Sequence, residues 1–362
     1  MRFRIAVLPG DGIGPEVVAA ATHALAAVAA TCGHRFDLEE LPIGAVAIAR
    51  YGKPLPEETA RAAAAADAVL LGAVGDPRFG PEANPRPEQG LLELRELLGV
   101  FANLRPIPMF PAATDSSPLR PERTEGCDLL FVRELAGGLY TGPRSEQGDG
   151  ESAFDTMLYS VSEVERVARV AFEAARRRTG RLTSVDKANV LASSRLWRRT
   201  VEAVAQDYPD VRLEHAYVDA FAMALLIDPR RHDVVLTENL FGDILSDEAA
   251  ALAGSLGVLP SASLGANPPG LFEPVHGSAP ELAGRNRANP VGAILSAALL
   301  LRHGLDLPEE ATIVERAVTA VLADGLRTAD LCRAGEICAS TSELSAAIHT
   351  AIKDPPWALP WI

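Results

Sequence analysis

The stretch Leu8–Glu16, LPGDGIGPE, separates a short apolar run from an Ala-rich segment near the start of the chain. Proline suits the first position of a helix because its φ angle is already helical, so Pro15 predicts a helix start after a Gly-rich turn. A dinucleotide-binding fingerprint would stand at the same place, but Pro15 occupies the position of its third glycine and lacks an N–H group. The stretch therefore disfavours a Rossmann fold, and a plain strand-to-helix turn remains an alternative to a ligand-binding loop.

Strand-like and helix-like segments alternate along the rest of the chain. The predicted strands are Arg4–Leu8, Ala68–Gly75, Asp128–Arg133, Leu182–Asp186, Arg212–Val218 and Asp233–Thr237, and the predicted helices are Val17–Ala30, Val161–Arg178 and Ser194–Asp207. Such alternation is typical of α/β proteins with a parallel or mixed sheet. The length of 362 residues corresponds to roughly two domains of ordinary size.

Two stretches rich in proline and glycine interrupt this alternation, at Pro106–Pro121 and Leu259–Pro274. We interpret both as linkers or long functional loops. If the chain crosses between domains there, residues 102–253 form one domain, and residues 1–101 and 254–362 together form the other. The tail DPPWALPWI, residues 354–362, carries two of the three tryptophans and is expected to pack against the body of the protein.

The net charge of −14 and the pI near 5.0 argue against nucleic acid and anionic membrane surfaces as partners. Any anionic substrate must then be bound by cationic groups that are gathered locally. The longest apolar run, Val291–Leu301, is 11 residues, whereas a spanning helix needs about 20. With no C-x-x-C pair among the four cysteines and no signal-peptide pattern, we expect a cytoplasmic protein.

Three arginines are candidates for binding a di- or tricarboxylate: Arg95, Arg105 and Arg133. A guanidinium group matches a carboxylate with two parallel hydrogen bonds, so three that converge would suit such a substrate. Their spacing in the sequence does not establish convergence, and the alternative for each is an ordinary surface or ion-pair residue.

Asp243 and Asp247 lie four residues apart in TENLFGDILSDEAA. On a helix this spacing places both carboxylates on one face, where like charges destabilise the helix unless a cation bridges them. Oxygen ligands of this kind favour Mg²⁺ or Mn²⁺ over zinc. The neighbouring residues are small or apolar, which favours a metal site over the alternative of a solvated helix face.

Lys187, in VDKANVL, follows an apolar strand. Burial can lower the pKa of a lysine until it acts as a base. The alternative is a strand-end lysine whose ammonium group simply reaches solvent.

Seven motifs occur in the order typical of one family: RPEQGLLELR, FANLRP, RELAGGLY, VDKANVL, YVDAFAM, TENLFGDILSDEAA and FEPVHGSAPELAG. On these motifs the chain resembles the β-decarboxylating dehydrogenases, the isocitrate/isopropylmalate dehydrogenase family. The similarity runs from LPGDGIGPEV near the start to RTADL at residues 327–331. The resemblance implies a two-domain α/β fold with a mixed sheet that is not a Rossmann fold. It also implies that the discontinuous domain binds the cofactor and that residues 102–253 hold the metal ligands and the dimer interface.

The resemblance implies roles for individual residues. Lys187 would be the general base and Tyr140 the general acid, and Asp219 would act with them. The metal ligands would be Asp219, Asp243 and Asp247. The substrate would contact Arg95, Arg105, Arg133, Asp219, Glu88, Leu91, Leu92 and Asn189. The cofactor would contact Gly72, Ala73, Val74, Gly75, Glu273, His276, Gly277, Ser278, Ala279, Glu281 and Asn289.

The activity implied by the resemblance is oxidative decarboxylation of 3-isopropylmalate with NAD and Mg²⁺ or Mn²⁺. Leu91 and Leu92 would face the isopropyl group, but another 3-alkylmalate, tartrate or malate stays open as substrate. A paralogue that binds a dicarboxylate or a partner without catalysis is the alternative from another class.

Lys187 and Asp219 are expected to reach into the partner's site, so the working unit would be a homodimer with shared active sites. The sequence departs from the common family pattern at Glu281, where Asp is usual, and at Ala136, where Thr is frequent.

Overall fold

The computed structural model describes residues 1–80, 82–145, 152–333 and 335–355. The chain divides into two compact units, each of which is described by itself. The first unit comprises Met1–Gly99, Phe110–Ser116 and Ala253–Ile362, and the second comprises Val100–Met109 and Ser117–Leu252. Most of the tail that was expected to pack against the body, residues 356–362, lies outside the described residues.

The described residues form ten strands and twelve α-helices, which confirms the mixed α/β class. The strands are β1 (Arg2–Gly10), β2 (Arg35–Glu40), β3 (Ala68–Ala73), β4 (Val100–Ile107), β5 (Leu129–Glu134), β6 (Arg181–Asp186), β7 (Arg212–Tyr217), β8 (Val234–Thr237), β9 (Pro260–Gly265) and β10 (Leu271–Pro274). The helices are α1 (Gly14–Cys32), α2 (Ala45–Tyr51), α3 (Glu57–Ala65), α4 (Pro87–Leu97), α5 (Pro121–Thr124), α6 (Val161–Arg176), α7 (Ala192–Ala205), α8 (Val218–Ile227), α9 (Asn239–Leu252), α10 (Val291–Leu299), α11 (Pro308–Ala323) and α12 (Thr341–Lys353).

In the first unit the strand order is β2-β1-β3-β10-β9. All neighbours pair in parallel except β10 and β9, which pair antiparallel with Leu271 opposite Ser263. All nine residues of α10 are buried, and this helix packs on β9, β10, α1 and α11. Length and apolar composition alone would let α1 span a membrane, with a mean hydropathy of 1.3. Its apolar side instead packs on α10 and α12 as part of the core.

In the second unit the strand order is β4-β5-β8-β6-β7. The pair β4–β5 is antiparallel, and the other neighbours are parallel. Helix α6 starts at a capping box formed by Ser160 and Glu163, and it buries Val164, Val167 and Phe172 at helical spacing. Parallel strands end at the same edge of a sheet, so the segments that follow β6 and β7 lie side by side.

The prediction of a linker or long loop at Leu259–Pro274 is wrong, because this stretch forms the hairpin of β9 and β10. Strand β9 lacks the usual sequence signal of a strand, which is large apolar residues at alternate positions, because it buries three small residues in succession: Ser261, Ala262 and Ser263. In the other stretch, Pro106–Pro121, the first two residues end β4 and Pro111–Ser116 form a 3₁₀ turn.

The Gly-rich stretch after β1 brings three loops of the first unit together. Asp11 is buried, and its carboxylate accepts hydrogen bonds from the backbone N–H groups of Ala45, Val46 and Gly75 at 2.9–3.0 Å. Gly12 has a φ of 58°, and a Cβ there would lie 1.9 Å from the carbonyl oxygen of Ser278. Glycine is therefore required here for a close backbone approach as well as for the turn.

We predict that Gly12→Ala destabilises the protein more than Gly33→Ala. Both glycines have positive φ angles, so each alanine incurs the strain of a left-handed backbone, about 1–2 kcal/mol. A Cβ at Gly33 meets nothing within 4 Å, whereas at Gly12 it would overlap the backbone of Ser278. Urea unfolding of the two variants measures the difference, and equal losses of unfolding free energy would contradict the close approach.

Candidate active site

Two buried arginines lie on the same face of the β4–β5 pair. The register places Asn103 opposite Arg133, and Arg105 is two residues beyond Asn103 on β4. Opposite residues share a face, and so do residues two apart along a strand. Arg105 and Arg133 are only 7% and 2% exposed, so their charges need partners inside the protein.

Helix α9 supplies most of these partners. Arg105 donates to Asn103 at 2.7 Å and to the Ser246 hydroxyl at 2.8 Å, and it lies within 3.5 Å of Asp243 and Asp247. Residues 243, 246 and 247 share one helix face, as the spacing of Asp243 and Asp247 predicted.

Arg133 is bound by the same helix. It donates to Oδ1 of Asn239 from Nε and Nη2 at 3.1 and 2.9 Å, and its Nη1 donates to Asp243. Asn239 lies one turn before Asp243, on the same face. The structure thus brings Arg105, Arg133, Asp243 and Asp247 into one cluster in the second unit.

Tyr140 joins this cluster through Asp243. Its hydroxyl donates to the Asp243 carboxylate at 2.9 Å, and the guanidinium of Arg133 lies over its ring, 5.7 Å from the centroid. Burial and the negative charge of Asp243 raise the pKa of Tyr140, so the phenol carries its proton at neutral pH. Burial opposes ionisation of Asp243, but Arg133 and Arg105 outweigh it, and the pKa of Asp243 is lowered.

The turn between β5 and Tyr140 is held by two side chains that the sequence analysis did not identify. The carboxylate of Glu134 accepts hydrogen bonds from the N–H groups of Ala136 and Gly137 at 2.9 and 2.8 Å. The amide nitrogen of Asn239 donates to the carbonyls of Leu135 and Gly137 at 3.2 and 2.9 Å.

Lys187 and Asp219 form an ion pair at the carboxyl ends of β6 and β7. The Lys187 ammonium donates to Asp219 at 2.5 Å, and the Asp219 side chain is 68% exposed. Lys187 directly follows β6, while Asp219 lies in the first turn of α8, and Asp186 stands opposite Tyr217. Asn189 is exposed in the turn that follows Lys187.

A single chain does not gather the three predicted metal ligands. Among the described residues, no group of three His, Cys, Asp or Glu side chains could hold a metal ion. Asp243 and Asp247 nevertheless present carboxylate oxygens on one helix face, and burial with the charge of Asp243 raises the pKa of Asp247. This donor set suits Mg²⁺ or Mn²⁺, and it needs a further ligand from elsewhere.

In the first unit, Arg95 is paired with Glu273. The guanidinium in the last turn of α4 donates to the carboxylate on β10 at 2.8 Å, and both side chains are mostly buried. Leu91 is partly buried, whereas Leu92 is exposed and lines a surface groove with Pro54 and Pro85.

Glu88, also on α4, lies against the loop that follows β3. A methyl group at Gly75 would stand 3.2 Å from the Glu88 carboxylate and 3.6 Å from the Ser278 hydroxyl. Gly72 and Ala73 belong to β3, and Val74 leads into the loop. The structure therefore brings the predicted cofactor residues at 72–75 and 278 together, because Asp11 holds Gly75 and Gly12 lies against Ser278.

A cavity of about 350 Å³ opens in the first unit beside these loops. Its lining includes His276, Ala279, Leu282, Arg287, Asn289 and Asp330. Asp330 anchors the wall by accepting hydrogen bonds from Asn289 at 2.9 Å and Thr328 at 2.6 Å. His276 Nδ1 donates to the Gly277 carbonyl at 2.9 Å, and burial lowers the pKa of this imidazole. Its Nε2 is a buried acceptor without a partner in the part of the chain that the structure describes.

Glu281 is exposed and does not line this cavity, whereas Arg287 does. The sequence analysis missed Asp11, Glu134, Asn239 and Asp330. Asp11 lies in the quoted Gly-rich stretch, and the other three lie in or next to quoted motifs. For Asp11 the signal is an acidic residue in a segment that is otherwise apolar or Gly-rich.

The mixed strand pairing agrees with the fold expected from the resemblance to the β-decarboxylating dehydrogenases. The chain belongs to the isocitrate/isopropylmalate dehydrogenase family, whose sequence profile matches residues 4–348. It is 54% identical to proteins named 3-isopropylmalate dehydrogenase from Geobacillus kaustophilus and Bacillus subtilis, over 97% and 96% of this chain and 96% and 98% of the relatives. Isocitrate dehydrogenase from Methylococcus capsulatus is 34% identical with a TM-score of 0.85, covering 97% of this chain and 99% of that one.

Proposed function

We propose that this protein oxidatively decarboxylates 3-isopropylmalate to 2-oxo-4-methylpentanoate and CO₂, a step of leucine biosynthesis, with NAD and a divalent cation. The observation that carries the proposal is the cluster of Arg105, Arg133, Tyr140, Asp243 and Asp247 on one face of the second unit. The relatives named 3-isopropylmalate dehydrogenase at 54% identity over nearly the whole chain support this substrate.

Arg105 and Arg133 are suited to bind the substrate carboxylates. Both guanidinium groups are buried, so their interaction with an anion is weakly screened by solvent. Their positions are fixed by Asn103, Asn239 and Ser246, so little conformational freedom is lost on binding. Arg95 is the third proposed carboxylate ligand, and Leu91 and Leu92 are proposed to face the isopropyl group.

The residues fit the two groups that the family uses in this chemistry. Asp243 and Asp247 would hold Mg²⁺ or Mn²⁺ together with Asp219 from a second subunit. The cavity at His276 and Asn289 would hold the adenosine part of NAD. The buried Nε2 atom of His276 offers an acceptor to a nucleoside amino or hydroxyl group. When bound, the cation supplies Lewis acidity to the substrate and NAD⁺ accepts the hydride.

Two side chains would move the protons. Lys187, when neutral, would take the proton of the C2 hydroxyl as hydride leaves C2. Tyr140 stays protonated at neutral pH, so it can protonate the carbon that has lost CO₂. Its hydrogen bond to Asp243 fixes the orientation of the phenol.

We propose that the protein works as a homodimer with shared sites. Asp219 is exposed and lies away from the Asp243–Asp247 pair, so the metal site of one chain is incomplete. Helix α8, which carries Asp219, exposes Met223, Leu226 and Ile227, and Ile244 on α9 is 59% exposed. Exposed large apolar side chains on neighbouring helices are typical of a surface that binds another protein. A second copy of the chain that covers this surface would bring its own Lys187 and Asp219.

The direct test measures NADH formation with a panel of acids: 3-isopropylmalate, other 3-alkylmalates, isocitrate, tartrate and malate. We expect the highest kcat/KM with 3-isopropylmalate and Mg²⁺, and loss of activity with EDTA. A higher kcat/KM with another acid would reassign the substrate. Dicarboxylate binding without NADH formation would support the alternative of a non-catalytic paralogue.

The shared site is tested by mixing two inactive variants. In a hybrid of Lys187→Met and Asp243→Asn subunits, one of the two sites keeps every required residue. Random exchange should therefore restore roughly one quarter of the sites. The matched control mixes Lys187→Met with Asp219→Asn, where each site receives one defect and no activity should return. Equal results for both mixtures, with heterodimers verified, would contradict sharing.

We predict a preference for NAD⁺ over NADP⁺ of about a hundredfold in kcat/KM, because like-charge contacts can cost several kcal/mol. Glu281 is exposed next to Leu282, which lines the cavity, and from there it would accept hydrogen bonds from the adenosine ribose and repel a 2′-phosphate. Glu281→Gln should weaken the preference and Glu281→Asp should keep it. Arg287 lines the cavity and opposes this repulsion, so Arg287→Ala should strengthen the preference. A wild-type ratio near one would overturn the role of Glu281.

A further inference from the structure

Glu134 is a fully buried carboxylate that the proposed chemistry does not use. It ends β5, directly after Arg133, and its side chain has no exposed surface. Its oxygens accept one hydrogen bond each from the N–H groups of Ala136 and Gly137. The nearest cation is Arg166 on α6, whose guanidinium lies 3.7 Å away and stacks over Phe101.

The turn that Glu134 holds leads directly into the segment Gly138–Tyr140. The turn is tightly packed at Gly137. A Cβ at Gly137 would stand 2.8 Å from the Tyr159 ring and 3.3 Å from the Glu134 carboxylate. Asn239 binds the carbonyls of the same turn and Oδ1 of Asn239 binds Arg133. A change in the turn therefore moves Tyr140 relative to Asp243.

We propose that Glu134 is a positioning residue whose ionised carboxylate fixes the 135–138 turn and thereby places the Tyr140 hydroxyl on Asp243. The inference rests on the proposed function, because Tyr140 is there the proton donor. An ionised carboxylate has only acceptors, which matches two converging N–H groups. Protonation removes the negative charge and turns one oxygen into an O–H group, which is a poorer acceptor, so the hydrogen bond from one of the two N–H groups is weakened.

The surroundings of Glu134 place this protonation near neutral pH. Burial raises the pKa of Glu134 to about 7, while the two backbone N–H groups and Arg166 act in the opposite direction. Glu163 on α6 raises the pKa of Glu134 further, and Tyr159, whose hydroxyl donates to the buried Glu238, packs against Gly137 of the same turn. Since the folded pKa lies above the usual value for Glu, the carboxylate is ionised only above about pH 7. Tyr140 should therefore lose its orientation as the pH falls through 7.

Three variants test this in kcat–pH profiles with 3-isopropylmalate. Glu134→Gln keeps the volume but presents one N–H donor to the turn, so kcat at pH 8.5 should fall about tenfold, which is roughly 1.4 kcal/mol of activation free energy. The KM should change little, and the acid limb near pH 7 should disappear. Arg166→Met should move that limb to higher pH, because the cation no longer favours the ionised form. Glu165→Gln, which removes an exposed charge of the same helix, should leave the limb in place.

A second measurement does not depend on turnover. The chain has five tyrosines, so 3-fluorotyrosine labelling gives few ¹⁹F resonances, and Tyr140→Phe assigns one of them. The Tyr140 resonance should shift with a midpoint near pH 7 in the wild type. The midpoint should move upward in Arg166→Met, and the transition should be absent in Glu134→Gln.

Support requires both the acid limb and the ¹⁹F transition to respond to Glu134 and Arg166 in this way. A limb and a transition that persist in Glu134→Gln, or that do not move in Arg166→Met, would overturn the inference. If Glu134→Gln does not fold, the shift of the acid limb and of the ¹⁹F midpoint in Arg166→Met still tests the inference. A wild-type protein that turns over no substrate contradicts the proposed function. The ¹⁹F measurement would then still test whether Glu134 positions Tyr140, because it does not depend on turnover.

Discussion

Burial of two guanidinium groups constrains the arrangement of the second unit. Removing an isolated charge from water costs several kcal/mol even after the protein relaxes, so Arg105 and Arg133 must be surrounded by acceptors. Helix α9 supplies these acceptors at Asn239, Asp243, Ser246 and Asp247. These positions are spaced as i, i+4, i+7 and i+8, which is one face of a helix. A shift of α9 by one residue would turn this face, with its four acceptors, away from both arginines.

In the first unit a buried negative charge, the carboxylate of Asp11, likewise fixes the position of neighbouring segments. The carboxylate of Asp11 accepts hydrogen bonds from three backbone N–H groups. Two of these belong to the first turn of α2, where unpaired N–H groups favour a negative charge. The third belongs to the loop after β3. The Gly-rich stretch therefore connects the start of α2 to the loop after β3 through Asp11.

Local periodicity explains which parts of the fold the sequence could predict. The six predicted strands and three predicted helices all occur with small shifts of their ends, and most of them have a clear apolar pattern. The β9–β10 hairpin was missed because its burial is achieved by Ser261 and Ser263, which carry no apolar signal. The pairing of Asp243 with Asp247 could be predicted because an i, i+4 spacing fixes geometry within one helix. Convergence of Arg105 with Arg133 depends on the β4–β5 register, which no local pattern specifies.

Two of the site residues that the sequence analysis missed, Asp11 and Glu134, have a common physical property. Their carboxylates bind backbone N–H groups, so their hydrogen-bond partners have no side-chain identity that a motif could record. A motif search finds groups that would touch a ligand, because their charge and hydrogen-bonding capacity are complementary to those of the ligand. The residues that orient those groups are complementary to backbone N–H and carbonyl groups, which occur along the whole chain. They become identifiable only when burial shows which polar side chains lack solvent, and Glu134, fully buried beside the Tyr140 turn, is the clearest of them.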